Sequence, residues 1–483
     1  MPSENQADVF REWSKVYGDI IYLSIPIFHR KIVVIGSVKA AQELLDDRGA
    51  IYSCRPKLTL LNDLMGWDPS LAFQPYRSKR FAKHRKMLST YFGKKESMES
   101  LNPFLNEEAR LLVKNLYHKS IREGGDRGID GLHYVHRLTV SNIMRAAYGH
   151  QVKSKDDVFM GMGERVLHLM SNCGPPGNTP VDLFPSLQHL PSWIPFPGSH
   201  YINLAREKWY RDVRELHDFP VNFVRDGMKS KTIQKCFMSD NLEKLGERDT
   251  TSGSNWEEEL EDIKSTSATI FAAGEDTTYI TLSTFFLAMI QNPDIQRRAH
   301  EEIISVVGED RLPDITADRD SLGYLECVLQ EVLRWHSVAP LGIPHRLLQD
   351  DVYNGMFIPE GTIIIANIRA MARNESVYSD PLAFNPSRYL PVPEGRGEPF
   401  LPSIWGFGRR ICPGRHFAEL AIWNVAACTL ATLEILPPKD ERGNIVMPEL
   451  VVTEGLTSAV APFNFHVRPR SEKARALIAE IED

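Results

Sequence analysis

A chain of 483 residues has room for one large domain or two to three ordinary ones. Its 42% of apolar residues allow a large core, and its net charge of -7 argues against a nucleic-acid binder. Six cysteines (Cys54, Cys173, Cys236, Cys327, Cys412 and Cys428) lie far apart with no Cys-x-x-Cys pair, which excludes a disulfide framework and a zinc site. Such usage fits a reducing compartment, with most thiols serving as small buried apolar groups.

Taken in chain order, "MPSENQADVFREW" lacks a basic start and an apolar core, so it does not read as a signal peptide. "IIYLSI" and "KIVVIG" read as two short β-branched strands. "SVKAAQELLDDRG" reads as a helix capped by Ser37 and stopped at Gly49. "RSKRFAKHRKMLSTYF" is a basic amphipathic helix. Phe81, Arg85, Leu88 and Phe92 share one face, and Lys79, Lys83 and Lys86 another. A charge run of this kind is usually a solvated face; on an acidic chain it also suits an acidic partner.

From about Asn102 to Asn292 the pattern is mostly helical. The prolines and glycines of "SNCGPPGNTPVDLFPSLQHLPSWIPFPGSH" forbid long helices there. After the polar loop "GERDTTSGSN" the longest helical pattern runs from Trp256 to Asn292, roughly 55 Å at about 1.5 Å per residue, and stops at Pro293. The longest nearly apolar run inside it, Ile280 to Ile290, is too short to span a membrane. Beyond Leu347 come short strands such as "TIIIANI", then Pro-rich coil, then "WGFGRRICPGRHFAEL". No internal repeat interrupts the chain, so the pattern is one helix-rich domain, residues 1–483, with minor sheet.

The last segment holds a lone thiol, Cys412, among glycines, arginines and a proline. Gly406, Gly408 and Gly414 let the backbone approach a flat ligand closely, and Pro413 stiffens the loop. The helix that follows would aim its first N–H groups at the sulfur and favour its charged form. An ordinary glycine-rich turn around a buried cysteine explains the composition equally well. Three other stretches carry the same ambiguity. "FAAGEDTT" puts Gly274, Asp276, Thr277 and Thr278 inside an apolar helix, which suits a kink or a packing notch as well as a site. Glu331 and Arg334 in "QEVLRWH" have the spacing of a surface ion pair. His345 in "PLGIPHRLLQDD" suits a core histidine, a metal ligand or an anion donor.

The segment W-G-F-G-R-R-I-C-P-G resembles the heme-binding signature F-x-x-G-x-R-x-C-x-G of the cytochrome P450 family. Gly408, Arg410, Cys412 and Gly414 match, and Trp405 replaces the usual Phe. Three further segments resemble the family in the right order. "AAGEDTT" matches A/G-G-x-D/E-T-T at Ala273, Gly274, Asp276, Thr277 and Thr278. Glu331 and Arg334 match E-x-x-R, joined by Arg388 in "FNPSRYL". Phe81 and Arg85 stand where the family has W-x-x-x-R. Phe81, Ser387 and Trp405 are departures.

The resemblance implies the mainly α fold of that family with minor β, a single heme-binding domain, and heme b (iron protoporphyrin IX) with Cys412 as axial thiolate. It implies propionate contacts from Arg410, Arg85 and His345, with Phe81 and Trp405 packing at the heme. It gives Asp276 and Thr277 the proton relay, and Glu331, Arg334 and Arg388 a structural role. By order along the chain it suggests a substrate wall of Phe73, Phe271, Ala272, Leu341, Ile343, Leu456 and Thr457. The implied function is oxidation of an apolar small molecule with O2 and electrons from NADPH through NADPH-cytochrome P450 reductase, with cytochrome b5 as an optional partner. The wording resembles fungal members, which commonly oxidise terpenoids, polyketides or foreign aromatics. Family relatives work at the cytosolic face of the endoplasmic reticulum. Here the segment Phe10 to Gly18 begins almost at once, so the expectation is a peripheral or truncated chain without the usual anchor. Rival readings are a reductase-independent peroxide isomerase or peroxygenase of the same fold, and a non-catalytic heme binder. Neither rival needs the Asp276–Thr277 pair.

Overall fold

The apolar spacing of the middle of the chain becomes a stack of long helices around one central helix. The computed structural model describes residues 2, 4–25, 30–123, 127–152, 154, 156–173, 179–246, 256–453 and 455–482. Counting helices of eight residues or more, the first is α1 (Gln6–Tyr17), ended by Gly18 at φ 90°. Strands β1 (Ile20–Ile25) and β2 (Arg30–Ile35) then pair antiparallel, Ile20 opposite Ile35. Helices α2 (Lys79–Phe92), α3 (Lys95–Glu123), α4 (Leu132–Tyr148) and α5 (Val158–Asn172) follow, then α6 (Tyr210–Ser230) and α7 (Phe237–Gly246). The central helix α8 spans Trp256–Gln291, and α9 (Pro293–Val307) and α10 (Gly323–Trp335) succeed it. Strands β3 (His345–Arg346), β4 (Asp351–Tyr353), β5 (Met356–Ile358) and β6 (Ile363–Ala366) come next. The chain closes with α11 (Arg415–Thr432), β7 (Leu433–Leu436), β8 (His466–Pro469) and α12 (Glu472–Ala479).

The largest sheet has the order β1-β2-β6-β3, with β2 and β6 parallel. β4 pairs with β5, and β7 with β8. Helix α8 is apolar nearly all round and is buried nearly all round, as that composition requires. Its closest neighbour is α4. A Cβ on Gly274 would stand 2.2 Å from Ile143 Cδ1, so the glycine exists to let the two helices touch.

The Glu331–Arg334 spacing turns out to be a buried hub rather than a surface pair. Both side chains are fully buried. Glu331 accepts from Arg334 at 2.7 and 2.8 Å, from Arg388 Nε at 3.1 Å and from the Tyr389 hydroxyl at 2.8 Å. The Asn385 N–H adds a further bond at 2.9 Å. Arg388 also pairs with Glu398 at 2.6 Å. Every charge has a partner, which is the condition under which a buried network fixes one arrangement of the chain. Tyr389, a departure from the family wording, is thus part of the hub. Ser387 accepts from Arg298 at 3.1 Å.

One reading of local structure changes. Ser37 does cap a helix, accepting from the Ala40 N–H, but Gly49 does not stop it. The helix widens over Gln42–Asp47, and Gly49 opens a further short turn, Gly49–Tyr52. Among its described residues the Pro-rich stretch carries only short pieces such as Pro180–Leu183 and Pro185–His189, as its composition dictates. The polar loop before the long helix lies, beyond Gly246, outside the described residues.

Candidate active site

The loop before α11 is closed by one bond, from the Cys412 N–H to the Trp405 carbonyl at 2.8 Å. The peptide of Trp405 therefore shapes the loop, whatever its ring does. Gly408 has φ 47°, and a Cβ there would meet Leu45 O at 2.3 Å, so no other residue fits. Gly414 has open space on its Cβ side. Cys412 is half-buried, whereas the other five cysteines are buried. Burial pushes its thiol up, while the Gly414 N–H and the charges of Arg85 and Arg415 pull it down. Burial wins, so the helix start alone does not ionise this sulfur; a metal cation bound to it would.

Around this loop lies a cluster of cationic side chains. Arg410 donates to the carbonyls of Ser53 (2.8 Å), Leu71 (3.1 Å) and Gln74 (2.5 Å). Its guanidinium lies 3.9 Å from the centre of the Phe81 ring, a cation–π contact that gives Phe81 a definite task. Arg85 donates to the Ile411 carbonyl at 2.6 Å, next to the cysteine. His345 is buried and shares a hydrogen of Nδ1 with the Tyr52 carbonyl at 2.8 Å. Burial and the nearby charges of Arg55 and Arg410 hold the imidazole neutral.

Arg55 was not among the residues singled out from the sequence. It is buried and donates to the carbonyls of Ala72 (2.9 Å), Pro344 (2.9 Å) and Ile343. Burial and the charge of Arg410 push its proton affinity down, and burial pulls Arg410 down to about 10. Among the described residues no carboxylate pairs with Arg55, Arg85 or Arg410. The only sequence signal for Arg55 was a lone Arg following the apolar "IYSC".

On α8, Ala273 is exposed and Gly274 and Thr277 are half-buried in the middle of an otherwise buried helix. Ala273 and Thr277 stand one turn apart and face the same way. The Thr277 hydroxyl donates back to the Ala273 carbonyl at 2.7 Å. Asp276 points elsewhere: it is buried and accepts from the Thr457 hydroxyl at 2.7 Å. Burial, with the charge of Glu275 adding, pushes the Asp276 carboxyl up to about 7. The acid and the alcohol are thus neighbours in the chain with different partners.

The suggested substrate wall divides. Leu341, Ile343 and Leu456 are half-buried. Phe73, Ala272 and Thr457 are buried, and Thr457 is engaged by Asp276. Phe271 is 0% exposed, with its ring 6.5 Å from that of Tyr148. The Cβ side of Gly274 faces Ile143. The lysine face of α2 also divides. Lys79 and Lys86 are exposed, but Lys83 pairs with Glu259 and Asp262 of α8, both at 2.6 Å. Asp262 takes Arg80 and His84 as well, which locks α2 to α8.

The family described as Cytochrome P450 matches residues 1–459 of the chain. "Cytochrome P450 monooxygenase 136" of Postia placenta is 35% identical across 100% of this chain and 88% of that protein. "Cytochrome P450 monooxygenase claR" of Ampulloclitocybe clavipes is 33% identical over 100% of this chain and 86% of its own length. Among solved structures, a zebra fish cytochrome P450 with abiraterone superposes with a TM-score of 0.76 at 21% identity, covering 96% of this chain and 100% of that one.

Proposed function

The chain belongs to the cytochrome P450 family, and we propose that it is a heme-thiolate monooxygenase in which Cys412 is the protein's ligand to iron and Arg55, Arg85, Arg410 and His345 hold the porphyrin carboxylates. Members of the family are oxidoreductases that bind heme through a cysteine thiolate and draw electrons from a redox partner. The observation that carries the assignment is the cation cluster beside the cysteine loop. Arg410 is repelled by Arg55 and Arg85, and among the described residues no carboxylate pairs with any of the three. Buried charge of one sign calls for the other, and a group with two carboxylates fits. Among the described residues no cluster of three or more His, Cys, Asp or Glu side chains could hold a metal ion. Cys412 would then be the residue that holds the iron of a heme, as in the family.

When bound, the heme supplies oxygen activation, and thiolate ligation favours O–O cleavage. The chain's own residues do the rest. The Trp405 carbonyl fixes the backbone of Cys412. Ala273 and Thr277 give α8 a small, hydroxyl-bearing face in the site. Asp276, buried beside it with its proton affinity raised into the neutral range, can hold a proton and give it up. Leu341, Ile343 and Leu456, half-buried and apolar, suit an apolar substrate. A fungal secondary metabolite or a foreign aromatic fits that wall, in line with relatives that are fungal monooxygenases.

In this reading electrons come from NADPH through NADPH-cytochrome P450 reductase, with cytochrome b5 as an optional second donor, and residues 1–483 act as one catalytic unit. The working place is the cytosolic face of the endoplasmic reticulum. Exposed Trp193, Phe184, Leu204 and Tyr210 suit contact with a membrane surface. Among the described residues no helix is long and apolar enough to cross one. The test is NADPH-dependent conversion of a panel of terpenoids, polyketides and aromatics with the reductase present. Conversion driven by peroxide alone, with none from NADPH and reductase, would favour the peroxygenase rival.

A further inference from the structure

Behind Asp276 lies a second ion pair that the cofactor site does not use. His136 of α4 meets Glu275 of α8 at 2.6 Å, and both are buried. The sequence pattern "AGEDTT" gives Glu275 no task. In the fold it is the residue before the acid, turned away from the site and capped by an imidazole from a neighbouring helix. Gly163 of α5 seals the pair from the third side, since a Cβ there would lie 3.6 Å from His136 Nε2 and 3.7 Å from Glu275 Cδ. The ring of Tyr279 stands edge-on to His136 at 5.4 Å.

Two carboxylates thus sit on consecutive buried residues. Each has one oxygen occupied, Glu275 by His136 and Asp276 by Thr457. Each has one oxygen, Glu275 Oε2 and Asp276 Oδ1, with no partner among the described residues. The charged and titratable groups facing them there are few: His136 from α4, Glu164 from α5, Cys173 just past its end, and Tyr279 on α8 itself. None is an arginine or lysine, so among the described residues His136 is the group here that can carry positive charge.

We propose that the His136–Glu275 pair sets the charge of Asp276, so that the acid beside it keeps its proton. Two adjacent carboxylates in a water-poor interior do not both ionise readily. Glu275 has the imidazole as partner, whereas its neighbour has only the neutral hydroxyl of Thr457. The same division appears in the proton affinities. Burial, the largest single influence, works against a charged His136, but the hydrogen bond to Glu275 and the charges of Glu275, Glu164 and Asp276 together outweigh it and raise it. Asp276 is raised by burial first and by Glu275 second. The pair is therefore a positioning element for the proton donor and touches neither cofactor nor substrate. The consequence for turnover rests on the monooxygenase reading; the charge division does not.

The test is infrared titration of the protonated-carboxyl band in the intact holoprotein, which needs no turnover and so stands or falls apart from the reaction assigned above. The band that disappears in Asp276→Asn belongs to Asp276, and in the parent it titrates near neutrality. In Glu275→Gln the neighbouring negative charge is gone, and the midpoint falls by roughly one pH unit or more. His136→Gln keeps a hydrogen-bond donor to Glu275 but removes the positive charge, so the carboxylate pair holds its protons to higher pH. Opposite shifts in the two variants support the proposal, and either shift alone in the stated direction supports it if the other variant does not fold. An unchanged midpoint in a folded variant, or a neutral-range band that persists in Asp276→Asn, overturns it.

Discussion

Thr457 donates its hydroxyl to Asp276 at 2.7 Å, tying the turn after Val452 to the middle of the central helix. The neighbouring alcohol, Thr277, donates instead to the Ala273 carbonyl at 2.7 Å. Two threonines thus hold different partners: the hydroxyl of one is bound to the acid, that of the other to the helix backbone.

Thr457→Val removes a hydrogen bond that favours the ionised acid, so the Asp276 carboxyl should rise further above its value of about 7. Product formed per NADPH consumed should then peak at a higher pH than in the parent. Thr277→Ala leaves Asp276 and its partner in place. It should divert reducing equivalents to hydrogen peroxide with heme content unchanged. Full coupling in Thr277→Ala would remove that hydroxyl from the proton path.

Asp276 also links pH to stability. Its folded proton affinity, raised from 3.8 to about 7, makes the native state favourable while the acid is protonated. That contribution is complete below the unfolded value and lost as pH rises through about 7, on the order of 4 kcal/mol in full. Asp276→Asn should therefore flatten the decline in Tm between roughly pH 4 and pH 7, the span between the unfolded and folded values. A parallel decline in both proteins would show that the buried acid does not govern it.

Glu331 holds two buried arginines and a tyrosine hydroxyl. Glu331→Ala leaves Arg334 and Arg388 without that carboxylate in the interior, a loss of about 3–5 kcal/mol. The expected result is little folded holoprotein and a lower urea midpoint. Wild-type recovery would mean that Glu398 and the surrounding carbonyls suffice for both arginines.

Gly274→Ala drives a methyl to 2.2 Å from Ile143 Cδ1 and should cost about 1–3 kcal/mol. Ile143→Val removes that atom, so the double variant should recover part of the loss in a thermal-unfolding cycle. Simple additivity would place the strain elsewhere.

The lysines of α2 should separate in the same way as their contacts do. Charge reversal at Lys79 and Lys86, both exposed, should slow reduction by the reductase at low salt. Lys83→Glu sets a third acid against Glu259 and Asp262 and should lower stability instead, by about 2 kcal/mol. Stopped-flow reduction and thermal unfolding distinguish the two effects.

How much of this was readable in advance follows from how local each contact is. The cysteine loop is contiguous, so the need for glycine at 408 and the helix start at Arg415 could be read from adjacent letters. Helix α8 was legible within a residue of its end because Pro293 punctuates it. The hub was half legible: Glu331 and Arg334 are three residues apart, yet their burial depends on Arg388 and Tyr389 from a distant coil. Arg55 could not be found, since its partners are carbonyls of the 72 and 343–344 segments and its meaning comes from Arg410. Gly49 was misread because the widened turn at Gln42–Asp47 has no sequence signature separate from an ordinary helix.

The identity of the iron ligand is the claim on which the functional reading turns, and the carbon monoxide difference spectrum of the reduced protein tests it most directly. The parent should show the band of a thiolate-ligated heme, and Cys412→His should fold, keep heme and lose that band. Variants at Cys54, Cys173, Cys236, Cys327 and Cys428 should retain it. A thiolate-type band that survives in Cys412→His, or that vanishes on replacing one of the five buried cysteines instead, would contradict the assignment.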